Sequence, residues 1–283
     1  MHGATRWGAP LLLGGLLAGC AAPDAHVPPF ARVPYQALSR QAVVAIALRE
    51  WRLFGEPVDD APAETARPAA LKPERAPGLW QRVGEYWWLG LNAGDPDAAF
   101  TGKHNAAGQV FPAYQDATYA WSAAFISYVM RIAGAGPGFP YAADHAHYID
   151  IAKEMTNGTA GGWDIVAMDP ASYAPRAGDI LCNGRDSAAG LSFADLPAGH
   201  FPSHCAIVVT TPDDGTQLVP AIPAVPVPTQ PDTIAVIGGN VGDAVSLTHV
   251  PVDGLGMVDT PDGHSLDPRY HWLAVLRVIY PGA

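Results

Sequence analysis

YAWSAAFISYVMRIAG, residues 119 to 134, is the stretch on which the reading of this chain turns. Ala124, Tyr128 and Ile132 fall on one stripe, with Phe125 and Val129 beside it. That is the period of an amphipathic helix, and Gly134 closes it. A small polar residue, Ser122, stands at its start. There the first backbone N–H groups are unpaired and the helix dipole favours negative charge. A nucleophile at that place finds oxyanion donors already aimed. The question is whether the serine hydroxyl has a base to act with.

The elements around this helix set the fold class. Upstream, SRQAVVAIALREWRLFG offers Ser39 as N-cap, and Val43, Ala47, Trp51 and Phe54 recur at helical spacing before Gly55. A second helix is expected over Leu79–Leu91, with Trp80, Val83 and Trp87 on its packed face. Downstream, Asp144 caps a helix from His145 to Met155 that stops at Asn157-Gly158. The period then changes. Asp179–Cys182, Cys205–Thr210, Thr233–Ile237, Ala244–Val250 and Trp272–Tyr280 read as short strands joined by Gly, Asn and Asp turns. Helices first and strands afterwards predict an α+β domain, with helices packed on one antiparallel sheet.

Outside that domain the composition shifts. Arg6 and the apolar run Pro10–Leu17 lead through Leu17-Ala18-Gly19 to Cys20, too short a run to span a bilayer. It resembles a bacterial lipoprotein signal over residues 1–20, with Cys20 as the lipidated residue. Each acyl methylene then adds about 0.8 kcal/mol of anchoring. Ala21 after the cysteine, rather than aspartate, implies by that resemblance an outer-membrane destination facing the periplasm. An Ala/Pro-rich tether follows over 21–35, and the single domain takes 36–283. Pro-rich loops are expected at 56–77 and 212–231. A net charge of -11 argues against a nucleic-acid partner. The body of the chain keeps Cys182 and Cys205; a disulfide or two buried thiols are both open from sequence.

Two further signals complete the constellation. His204, in HFPSHCAIVV, precedes the most apolar strand and can project toward a helix packed across the sheet. Asn240, in VIGGNVGDAVS, follows another strand, and its amide oxygen can fix an imidazole tautomer. Singly each is weak; their order is more specific. WSAAF, then PRAGDILC, then HCAIVV, then IGGNVGDAVS resembles the papain-like CHAP-type cell-wall amidases, over scattered blocks between Trp121 and Val250. Those enzymes place a nucleophilic cysteine where this chain has Ser122. WSAAFIS followed by His-x-x-Tyr-Ile, here His145 to Ile149, is more similar still to the bacterial lipoprotein family called domain of unknown function 2272.

The resemblance implies a papain-like fold and peptidoglycan or a related envelope peptide as partner. It places Ser122 as nucleophile, His204 as base and Asn240 as orienter, with Trp121, His145 and Asp179 lining the cleft. Serine in place of cysteine opens a second expectation, a catalytically silent module that binds wall peptides or a partner protein. A structural lipoprotein without ligand is a third. No cofactor is expected. His200 and His204 have an H-x3-H spacing, but no third ligand accompanies them, so no metal is expected either. Asp179 also reads as turn chemistry ahead of a strand.

Overall fold

The computed structural model describes residues 37–61, 71–92, 94–211, 228 and 230–282. The signal segment with Cys20, the tether and most of both Pro-rich loops lie outside them. Residues 36–283 form one compact unit. Its α-helices are α1 (Arg40–Leu53), α2 (Leu79–Gly90), α3 (Ser122–Ile132) and α4 (His145–Asn157). The strands are β1 (Ile165–Met168), β2 (Ile180–Gly184), β3 (Ser203–Thr210), β4 (Thr233–Val241), β5 (Ala244–Pro251) and β6 (Trp272–Val278). They make one six-stranded sheet in the order β1-β6-β2-β3-β4-β5, and every neighbouring pair is antiparallel. The α+β class and the helices-then-strands order are as expected.

The helix ends follow their cap chemistry. Ser39 accepts from Ala42 N at the start of α1, Asp144 accepts from Ala146 N at the start of α4, and Gly158 closes α4 in the left-handed region. The buried faces of all four helices share one apolar cluster with the Cys205, Ile207 and Val209 side of the sheet. The opposite side is also covered. Leu181, Val208, Val236 and Val275 pack there with Val252, Val258 and Trp272, from the segment that follows β5 and the start of β6.

Three points differ from the sequence reading. Strand β1 is new; at four residues it is too short for alternation to register. Ile132, expected on the buried stripe of α3, is exposed, because it is the last residue of the helix and the chain turns away at Gly134. Short 3-10 turns, Pro96–Ala99 and Ala113–Tyr119, occupy the stretch without clear periodicity before α3. The cysteine alternative is also decided. Cys182 and Cys205 face each other across β2 and β3, with α-carbons 4.1 Å apart, and are joined as a disulfide.

Candidate active site

The start of α3 sits against the sheet because one glycine of β4 allows it, and a second makes room for His204. A Cβ on Gly239 would lie 2.5 Å from Phe125 Cβ and 2.9 Å from Trp121 Cζ3. One on Gly238 would lie 2.8 Å from His204 Nε2. At Gly239 strand and helix therefore approach more closely than a side chain permits, and at Gly238 the bare backbone leaves room for the His204 ring. The GGN turn is first a packing device.

Ser122 is the first residue of α3, and among the described residues no side chain caps that end. The first backbone bond of the helix runs from Phe125 N to Trp121 O. The N–H groups of Ser122, Ala123 and Ala124 thus have no helical acceptor. Beside them, Ser122 Oγ lies 2.7 Å from His145 Nε2, both groups being buried. His145 Nδ1 is hydrogen-bonded to the Tyr148 hydroxyl. Ser127, the second serine of WSAAFIS, fixes this geometry from inside the core. It donates to Ala142 O and accepts from Ala142 N, which ties the segment leading into α4 to the flank of α3.

The partner of Ser122 is therefore His145 from the helical half, rather than His204. The His204 ring lies with its centroid 5.4 Å from that of His145, in an edge arrangement. Burial first, then His204, then the Arg185 guanidinium hold His145 well below the usual imidazole pKa. Burial and Arg185 do the same to His204. Both rings are thus neutral near pH 7, the state a general base requires. A neutral ring has one donor and one acceptor nitrogen. With the Tyr148 oxygen accepting, Nε2 is free to take the serine proton. With the phenol donating, Nε2–H points at Ser122 instead.

The remaining candidates fall elsewhere. Asn240 is half-buried in the irregular stretch of β4, with φ 58. Among the described residues no hydrogen bond joins it to His204. The residue that faces His204 across the sheet is Asn183 of β2; its Nδ2 donates to Gly184 O. Trp121 is enclosed by Phe54 and Tyr86, and its Nε1 donates to Glu74 Oε2 at 2.7 Å; it supports the site without facing it. Asp179 is buried just ahead of β2. It is bound by Tyr173 Oη, Arg176 N and Arg40, about 13 Å along the strand from its other end at the Asn183 and His204 pair. His200 is exposed and pairs with Asp144 Oδ2 at 2.6 Å. Among the described residues no three His, Cys, Asp or Glu side chains converge as metal ligands would.

Three residues beside the site were not singled out from sequence. Tyr148 carried a signal, since three residues after His145 puts it on the same helix face. Glu74 and Arg185 carried none, because each comes from a loop or strand end with no periodic context. Two cavities of the described surface lie away from Ser122. One, near 170 Å³, is bounded by Phe54, Val58, Asp60 and Ser246. The other, near 780 Å³, is bounded by Arg40, Tyr173, Arg176, Asp232 and Leu255.

No curated protein and no solved structure matches the chain. A family model described as "Uncharacterized protein conserved in bacteria (DUF2272)" matches residues 74–278, which includes Ser122, His145, Arg185, His204 and Asn240, and the chain belongs to that family.

Proposed function

We propose that this chain is a lipid-anchored protein of the bacterial envelope, held through Cys20 at the outer membrane and facing the periplasm. Its domain, papain-like and of CHAP type, acts as a hydrolase on amide bonds of peptidoglycan or a similar envelope peptide. The observation that supports this reading is the 2.7 Å contact between Ser122 Oγ and His145 Nε2 at an uncapped helix start. In it, Ser122 attacks the carbonyl carbon as its proton passes to Nε2. The N–H groups of the first turn of α3 receive the oxyanion. The imidazolium then returns its proton to the leaving amine, and water hydrolyses the acyl ester. Tyr148 accepts from Nδ1–H and aligns the ring, while neutral His204 packs edge-on against it. The disulfide fits an oxidising compartment.

Release of soluble fragments from purified cell wall by the purified chain tests this. Ser122→Ala and His145→Asn are each expected to remove turnover, and His145→Asn to be more damaging than His204→Asn. Undiminished release by Ser122→Ala would sink the assignment.

One observation favours a second reading, the silent module that binds wall peptides. The Tyr148 hydroxyl is buried, and among the described residues His145 Nδ1 is the only acceptor within its reach. A phenol that donates there keeps the proton on Nε2 and leaves Ser122 unactivated. Retention on wall material without product release is what this reading expects.

A further inference from the structure

Arg185 stands beside the site without a side-chain partner among the described residues. In a chain of net charge -11 most cationic side chains are taken up by acceptors. Arg40 binds Asp179, Arg49 and Arg82 bind Glu50, Arg75 binds Asp116, and Arg269 binds Asp267. Arg185 makes backbone bonds only, from its N to Pro202 O and from Ala188 N to its carbonyl. Among the described residues no carboxylate or carbonyl accepts from its exposed guanidinium. Arg52, Arg176 and Arg277 likewise have no ion pair there, but it is Arg185 whose charge acts on both His145 and His204.

Its place follows from the sheet. Strand β2 ends at Gly184, and Arg185 continues it by pairing with Pro202, just ahead of β3. Asn183 faces His204 and Gly184 faces Ser203 in the same register. The guanidinium therefore leaves the backbone at the mouth of the β2–β3 pair, where the His204 ring meets His145, the partner of Ser122. A planar fork of donors beside neutral imidazoles suits a carboxylate, which it can bind in two-point fashion. Among the described residues no carboxylate fills that role.

We propose that Arg185 is the specificity-determining residue of this site. It takes the carboxylate of a peptide substrate, a free C-terminus or an acidic side chain, and so places the neighbouring amide over Ser122. The proposal rests on the functional reading above, whether the site cleaves or only binds.

The test is binding, so that it does not depend on turnover. The probe is an N-acetylated alanyl-alanine of either chirality with a free C-terminal carboxylate, set against its C-terminal amide. Both are titrated into the purified chain, with the histidine ring resonances as the readout. The free acid is expected to bind about tenfold more tightly than the amide. Arg185→Gln should erase that difference, Arg185→Lys should keep part of it, and Ser122→Ala should leave it intact. Equal binding of acid and amide, no binding of either, or a preference that survives Arg185→Gln would overturn the proposal. An intact preference in a chain that releases nothing from cell wall would overturn the hydrolase reading and leave this one standing.

Discussion

Helix α3 bears two polar clusters built on opposite principles. Far along the helix, Tyr128 joins a network centred on the buried carboxylate of Glu50. That carboxylate accepts from Arg49, Arg82 and Tyr86, and draws in the Tyr128 hydroxyl. Burial alone would raise its pKa, but the hydrogen bond and charge of Arg82, with the bonds from Arg49 and Tyr86, hold it below the usual value. Charge is matched and α1, α2 and α3 are tied together. At the start of the same helix, Ser122, His145 and His204 are neutral, the first N–H groups are uncapped, and Arg185 has no side-chain partner among the described residues. A closed network fixes the helix; an open one is left for a ligand. The difference teaches where a side chain's removal is felt, in stability at the first cluster and in chemistry at the second.

The sharpest way to break this comparison is Glu50→Ala. It strands a partly buried Arg82 and removes the acceptor of two phenols, so it is expected to cost about 3–5 kcal/mol, read as a shift in the urea midpoint. A loss below about 1 kcal/mol would mean that the network behaves like a surface ion pair, and the contrast with the Ser122 cluster would collapse.

A third cluster lies between the two in character. Glu74 is buried beside Trp121 and faces Lys72, Asp116 and Asp243. Burial first, then the charges of Asp243 and Asp116, push its carboxyl up to about 7, against the Trp121 hydrogen bond and Lys72. The folded state then holds a proton that the unfolded chain releases near its ordinary value of 4.5. Folding therefore binds protons in that window, and this group's stabilisation is present below 4.5 and lost as pH rises toward 7. The span is on the order of 3 kcal/mol at most, since one pKa unit is about 1.36 kcal/mol. Glu74→Gln keeps an acceptor for Trp121 and removes the charge. Unfolding measured between pH 4.5 and 8 should show a decline in the unmodified chain that is absent in Glu74→Gln. Parallel profiles would show that the carboxyl stays ionised, and that the support under Trp121 is as charged as the Glu50 network.

Much of this architecture is legible in the sequence wherever one residue type has one local use. Ser39 and Asp144 cap, Gly134 and Gly158 stop, and apolar stripes bury; the helices and all strands but β1 follow. The site was legible in part. Ser122 and His145 lie in the WSAAFIS and His-x-x-Tyr-Ile runs, yet their pairing depends on Ser127 holding Ala142, a contact between segments that no spacing displays. The sequence points to His204 as base through its place ahead of an apolar strand and through the order of the resemblance, whereas the register puts Asn183 opposite it and Gly238 against its ring. Arg185 and Glu74 were silent for a related reason. Their importance lies in what they do or do not pair with, and pairing is a property of the folded surface. Glu50 shows the same limit from the other side, an acidic residue on a helix whose full burial is disclosed only by the two arginines that meet it.

The smallest effect is the most informative about the open cluster. Tyr148→Phe removes one hydroxyl from a fully packed position and should cost about 1 kcal/mol in stability, the worth of a typical buried hydrogen bond. Its effect on chemistry depends on which way that bond runs. If His145 donates from Nδ1 to the phenol oxygen, the imidazolium formed when Ser122 attacks loses its acceptor in the variant. Turnover should then fall by about tenfold for each 1.36 kcal/mol forfeited, with KM little changed because the phenol does not touch the substrate. That is the outcome the hydrolase reading expects. Nitrogen chemical shifts of the His145 ring in the unmodified chain supply the second readout, a proton on Nδ1 and a bare Nε2 facing Ser122. A proton found on Nε2, with wall fragments released at no measurable rate before or after the substitution, would give the site to the silent module. The serine would then serve as an acceptor that holds a histidine still, and the two clusters of α3 would differ in charge but agree in being structural.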